Sequence, residues 1–378
     1  MTGKPATTYL HALTSARGIA AWLVVFYHIR GTMPWLPDGV RAVFAKGYLA
    51  VDFFFLLSGF VIYFSSHRAM LDQGAAGIRP FLCRRLARIY PLYAVMLLLT
   101  IAFAALLALS GRAAPGYPWA ELPLHIAMMQ NWGFTDALSW NHPAWSISTE
   151  MAAYLLFPLL ILATPIARAP RAALLAGMAI LIAAMGLWLY AAGLDNLGQH
   201  IVRYGLVRCL FEFVTGSMLC ALWLQSGTAR HTGPLTVAAA IFGGAALLWY
   251  LNPRAELWAF PAMAAALIFL LADYARRAEA NGHRPSPPMQ ALRYLGEISY
   301  ATYLSHYMLF TWFKIALVTD AAHVAPWKIG LFLLLTLAVS SALYHLVELP
   351  GKRLVTALLR RDKRQAEGDP RLSPNRSR

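Results

Sequence analysis

Apolar residues in this chain run in blocks instead of alternating with polar ones. Stretches of about 20 predominantly apolar residues, enough to cross a hydrocarbon core of roughly 30 Å, fall at residues 12–33, 48–66, 89–109, 145–167, 172–192, 205–225, 235–251, 256–273, 296–318 and 328–348. Runs of that length, apolar on every side, read as membrane helices and not as strands or surface helices. The pattern predicts an all-α polytopic membrane protein of about ten transmembrane helices, with a tight hairpin at the short break NPRAE, residues 252–256. No small-residue cleavage site follows the first run in IRGTMPWLPDGV, so it is expected as a retained helix and not a signal peptide. The longest connection, residues 110–144, mixes Pro, Gly and Trp in PGYPW, MMQNWGF and LSWNHPAW; it is expected to roof an outward-facing cavity.

Composition sharpens this picture. The chain has 378 residues, 59% hydrophobic and 13% charged, with a net charge of +15. A basic excess suggests nucleic acid, but its distribution argues otherwise. With the N-terminus placed in the cytoplasm, 23 of the 32 Lys and Arg fall on the inner side and nine on the outer. That asymmetry is an orientation signal, which puts both termini in the cytoplasm and removes the case for a nucleic-acid partner. A transmembrane domain over residues 1–351 and a basic, unstructured cytoplasmic tail over 352–378 are expected. Cys209 and Cys220 lie about 16 Å apart along one predicted helix, Cys83 lies elsewhere, and no metal-ligand spacing appears.

Chemistry resides in the few ionisable groups inside the apolar runs. In SARGIAAWLVVFYHIRG, Arg17 and His28 are separated by nearly three whole helical turns, so they share one face about 16 Å apart. The alternative is a snorkelling anchor and a hydrogen-bonded core histidine. Asp52 stands one turn inside the second run, as a buried carboxylate needing a partner or as an interfacial cap. Ser58 and Gly59 follow at mid-depth, where they also read as a packing notch. Arg85 and Arg88, neighbours on one helical face, suit phosphate groups or plain membrane anchoring. Glu150 is expected in the outer half near His28 and Asp52, and His306 near mid-membrane with Tyr300 and Tyr303 on earlier turns. Arg208 and Glu212, four apart, read as a structural salt bridge; His345 and Glu348 read as packing and helix termination at the inner rim.

Taken in order, these motifs resemble the acyltransferase-3 family of integral membrane acyltransferases, which includes bacterial O-antigen and exopolysaccharide O-acetyltransferases. The resemblance runs from about Leu13 to Arg353 and rests on Arg17 with His28, AVDFFFLLSGFVI, RRLARIYP with Arg85 and Arg88, WSISTE ending in Glu150, ISYATYLSH ending in His306, and VELP. Two departures stand out. Met151 follows Glu150 where many members have a second glutamate, and there is no soluble hydrolase-like C-terminal domain.

The resemblance implies a multi-pass protein of the bacterial inner membrane and no permanently bound cofactor. It implies acyl-CoA, most commonly acetyl-CoA with succinyl as runner-up, as donor from the cytoplasm. The acceptor would be a hydroxyl, usually on an extracytoplasmic glycan, with a secreted macrolide as an alternative; membrane lipids surround the chain. On this reading the CoA phosphates rest on Arg17, Arg85 and Arg88, and His28 is the general base, oriented by Glu150 or Asp52. His306 is a second base or an oxyanion donor, with Ser58, Tyr300, Tyr303 and Arg208 as further oxyanion or acceptor contacts. Direct transfer and an acyl-enzyme both remain open. Two rival classes are a proton-coupled transporter or flippase, for which the paired halves and broken helices are not visible, and a noncatalytic lipid-binding scaffold, which leaves His28, Glu150 and His306 without purpose.

Overall fold

The computed structural model describes residues 10–227, 233–282 and 285–368. Every regular element among them is helical: α1 (His11–Ile29), α2 (Asp38–Ala45), α3 (Ala50–Gln73), α4 (Ile78–Leu109), α5 (Leu122–Ile126), α6 (Ala144–Ala163), α7 (Arg171–Ala191), α8 (Ile201–Gln225), α9 (Gly233–Leu251), α10 (Glu256–Ala280), α11 (Pro287–Glu297), α12 (Ser299–Leu317), α13 (Pro326–Leu343) and α14 (Leu349–Gly368). Each of the ten predicted runs lies on one long helix: α1, α3, α4, α6 to α10, α12 and α13. Eight helical stretches are long and apolar enough to cross a membrane, the stretch Asp38–Leu109 holding α3 and α4 together.

Helix α12 is not among those eight, because Ser299, Tyr300, Thr302, Tyr303, Ser305 and His306 dilute its apolar character. It lies instead in the protein interior, where Thr302 and Ser305 donate to carbonyls one turn back at 3.2 and 2.7 Å. Helix α9 is the opposite case, with Ala238 its one buried residue, and stands at the periphery.

Close approach of backbones fixes the relative height of the functional helices. A Cβ on Gly59 would meet the Phe213 carbonyl oxygen at 2.0 Å, and one on Gly216 would meet the Leu56 carbonyl oxygen at 1.9 Å, so α3 and α8 touch at their glycines. Two turns from that contact on each helix lie Asp52 and Arg208, which are thereby set side by side. Gly296 plays the same part between α1 and the α11–α12 junction, where a Cβ would come within 1.8 Å of the Thr14 carbonyl oxygen.

Two expectations change. Helix α4 begins at Ile78, eleven residues before the predicted run, so the helical face that carries Arg85 and Arg88 is continuous with that run. The tail is also structured as far as it is described: a π turn at Tyr344–Glu348 leads into α14, which is helical to Gly368, while residues 369–378 lie outside the described part. That helix is strongly amphipathic, a pattern that basic composition alone conceals.

Candidate active site

Two neighbouring chambers lie among the helices, the first walled by α1, α3, α4, α6 and α12, the second by α1, α8 and the connection before α6. The first, here the Arg chamber, is narrow, about 140 Å³, and lined by Arg17, Ser58, Arg85, Arg88, Glu150, Tyr154, Ser299 and Tyr300 among others. The second, the His chamber, is about 360 Å³ and lined by Tyr27, His28, Arg30, Tyr48, His142, Trp145, Arg208 and Tyr307 among others. Val51 belongs to both walls. Near their junction the Tyr303 and Ser146 hydroxyls hydrogen-bond at 2.8 Å.

Helix α12 runs alongside α1 and meets it at both chambers. Arg17 Nη2 donates to Ser299 Oγ at 3.1 Å, and the imidazoles of His28 and His306 meet at 3.1 Å between Nδ1 and Nε2. Seven residues of α12 advance about 10 Å and eleven residues of α1 about 16 Å. The long Arg17 side chain takes up the difference.

The tautomers follow from the acceptors. His306 Nδ1 faces the Tyr303 carbonyl at 2.7 Å and the Thr302 carbonyl at 3.2 Å, so it carries its hydrogen, and Nε2 keeps its lone pair. His28 Nδ1 faces that lone pair and the Val24 carbonyl at 2.9 Å, two acceptors, so it too carries hydrogen. His28 Nε2 is therefore the unprotonated nitrogen, held as a base. Around the dyad, Tyr27 and Tyr307 set their edges against the His28 ring, and His142 stacks on Tyr307 at 4.8 Å. Burial in the connecting loop lowers the His142 pKa below the ordinary imidazole range, which keeps that ring neutral.

Neither carboxylate expected to orient His28 does so. Glu150 lies in the Arg chamber, accepting from Ser58 Oγ and, at 2.7 Å, from the Tyr154 hydroxyl. The reason is where α6 starts. The connection before it is drawn inward, with buried Asn141 donating to the Leu304 carbonyl at 2.9 Å and Trp132 to the Ser148 carbonyl at 2.9 Å. Helix α6 thus begins level with the histidine pair, and Glu150, six residues on, falls about 9 Å beyond it.

Asp52 is fully buried and takes Arg208 Nε at 3.0 Å together with Arg208 Nη2; it caps no helix end. Arg208 therefore hydrogen-bonds to Asp52, 156 residues away, and not to Glu212, whose carboxyl group stands against that of Asp52. Among the proposed contacts, Ser58 is engaged by Glu150, and Tyr300 gives its hydroxyl to the Ile89 carbonyl at 2.9 Å, so neither is free as an oxyanion donor. Ser146 Oγ donates to the Pro143 carbonyl at 3.1 Å, so the Tyr303 hydroxyl gives its hydrogen to Ser146, and Arg208, with Nη1 unpartnered, is the contact that stays available in the His chamber. Arg85 Nε is buried and unpartnered beside Arg88 and Arg17 in the Arg chamber. His345 and Glu348 sit in the π turn at that end, His345 within 3.3 Å of the Tyr294 hydroxyl.

Sequence reasoning missed Tyr307, His142, Ser146, Tyr154 and Arg30. Tyr307 adjoins a singled-out histidine, and His142 and Ser146 stand in NHPAWS, so proximity to a motif was the available signal.

The chain matches the family profile described as an acyltransferase domain over residues 10–345. It is 28% identical to "Acyltransferase MdmB" of Streptomyces mycarofaciens over 93% of this chain and 94% of that protein. It is 24% identical to "Putative peptidoglycan O-acetyltransferase YrhL" of Bacillus subtilis over 90% of this chain but 55% of that protein. It is 29% identical to "Putative membrane-bound transacylase BcsY" of Komagataeibacter xylinus over 77% of this chain and 70% of that protein. No solved structure matches.

Proposed function

Because the chain belongs to the acyltransferase-3 family of multi-pass membrane acyltransferases, we propose that it moves an acyl group, acetyl in the first instance, from acyl-CoA on the cytoplasmic side to a glycan hydroxyl on the other side of the bacterial inner membrane. The observation that carries this reading is the dyad's place beside both chambers: His28 lines the His chamber, and the Tyr303 ring in the wall of the Arg chamber lies 6.1 Å from His306. The positive-inside distribution puts the Arg chamber toward the cytoplasm. A glycan acceptor accords with the relative named for peptidoglycan O-acetylation.

Coenzyme A is polyanionic, and its phosphates match the guanidinium forks of Arg17, Arg85 and Arg88. The Arg chamber, about 140 Å³ and lined at one end by the arginines and at the other by Tyr303 and Ser146, would take the slender pantetheine arm and bring the thioester to those two hydroxyls. From the His chamber the acceptor hydroxyl approaches His28 Nε2. That nitrogen takes the hydroxyl proton as the oxygen bonds to the carbonyl carbon. The Tyr303 hydroxyl, turned from Ser146 Oγ toward the carbonyl oxygen, holds the developing oxyanion. As the C–S bond breaks, the departing thiolate receives the proton, so ester and free CoA thiol form with His28 restored. Transfer is direct on this reading, since Ser58 is hydrogen-bonded to Glu150 in the Arg chamber, on the donor side of Tyr303 and Ser146.

The test is His28→Gln in proteoliposomes given acetyl-CoA and a glycan acceptor. A fall of about 10²- to 10⁴-fold in transfer is expected, with acyl-CoA binding and membrane abundance retained. Near-normal transfer ends the general-base assignment.

A further inference from the structure

The His chamber is walled by aromatic rings and cations, with no Asp or Glu among its lining residues. Of its two guanidinium groups, Arg208 is matched by Asp52 behind it. Arg30 is not matched: among the described residues no carboxylate pairs with it. Three other basic groups of the same side have carboxylate partners, Arg41 in Asp38, Lys46 in Glu256 at 2.5 Å and Arg254 in Asp195 at 2.8 Å, whereas Arg203, which also has none among the described residues, is exposed and lies outside the chamber. The Arg30 guanidinium lies over the Tyr27 ring, 4.1 Å from its centroid, with one N–H given to the Tyr27 carbonyl. Cation–π contact and that single bond orient the fork without neutralising it. A basic residue on the outer side also opposes the charge asymmetry that orients the chain, so its place two residues from His28 calls for a ligand.

We propose that the acceptor carries an anionic group, carboxylate or phosphate, beside the hydroxyl that is acylated, and that Arg30 binds it. This rests on the acyl-transfer reading above and narrows its acceptor class. With the anion on Arg30, a sugar ring reaches between the stacked His142–Tyr307 pair and Trp145, and its neighbouring hydroxyl faces His28 Nε2. The chamber volume of about 360 Å³ suits one such ring.

The experiment measures binding of methyl glucoside, methyl glucuronoside and glucose 1-phosphate to the full-length purified protein by intrinsic tryptophan fluorescence, with saturating CoA occupying the Arg chamber. Charge-assisted contact predicts that at least one anionic sugar binds about 10- to 100-fold more tightly than the glucoside, and comparing the two identifies carboxylate or phosphate. Arg30→Gln should abolish the preference. Arg30→Lys should keep part of it, having charge without the fork, and Arg203→Gln, an exposed basic residue outside the chamber, should keep all of it. Equal binding of neutral and anionic sugars, or a preference that survives Arg30→Gln or vanishes when CoA is added, overturns the assignment. An Arg30-dependent preference without acetyl transfer from acetyl-CoA supports this site and defeats the acyl-transfer reading instead.

Discussion

Replacing His306 by alanine removes one of the two acceptors facing His28 Nδ1 and leaves the other, the Val24 carbonyl at 2.9 Å. The imidazole keeps a reason to hold its hydrogen on Nδ1 but loses the anchor that fixes the ring. At metal sites, removing a partner that orients a functional histidine costs about 10- to 100-fold, whereas removing a general base costs about 10²- to 10⁴-fold. His306→Ala should therefore lower kcat by about 10- to 100-fold, or about 1.4–2.7 kcal/mol of barrier. The KM for acyl-CoA should not move, because His306 does not line the Arg chamber. His306→Gln, whose side-chain oxygen accepts from Nδ1–H, should recover part of the loss. In a coupled assay of CoA thiol release and acyl transfer, His28→Gln combined with His306→Ala should be no worse than His28→Gln alone, since residues acting as one unit are not additive. A loss confined to KM, or a double variant as poor as the product of the single effects, refutes the positioning role.

Arg85→Ala, Arg88→Ala and Arg17→Ala should each raise the KM for acyl-CoA with little effect on the membrane abundance of the protein, and Arg88→Lys should rescue only partly for want of the bidentate fork; direct binding of labelled CoA checks this. Asp52→Ala strands a buried guanidinium and should destabilise the fold by about 3–5 kcal/mol, toward the low end because Glu212, one turn from Arg208, is left as a second carboxyl beside it. Thermal unfolding in detergent reads the loss, and Asp52→Leu with Arg208→Met should restore much of the stability. For topology, a cysteine at exposed Ala113 should label with an impermeant reagent outside intact cells and one at exposed Gln73 should not, in a Cys83→Ser background; the reverse pattern inverts the assignment of donor side.

Position along a helix was legible in the sequence, and position around it was not. The ten apolar runs and the common face of Arg17 and His28 follow from periodicity, and in the structure Arg17 lines one chamber and His28 the other. Partners across helices depend on which faces meet. Short-range spacing offered Glu212 to Arg208, and the true partner, Asp52, is supplied by a glycine contact between α3 and α8 that no local pattern announces.

Depth itself was misread in one place, for a related reason. Counting inward from the end of an apolar run assumes that all helices start at the same height, but α6 starts level with the histidine pair. The segment before α6 is polar enough to look like an exterior loop, yet Asn131, Asn141 and Gln130 are buried by hydrogen bonds to helices whose backbone groups they satisfy. Non-helical backbone is stable at that depth only when enclosed by protein, so the same enclosure that draws in His142 and Ser146 displaces Glu150 toward the arginines. The site's third group on His28 then has to come from a helix already at the right level, and α12, too polar to stand as a lipid-facing span, is the one that brings His306 there.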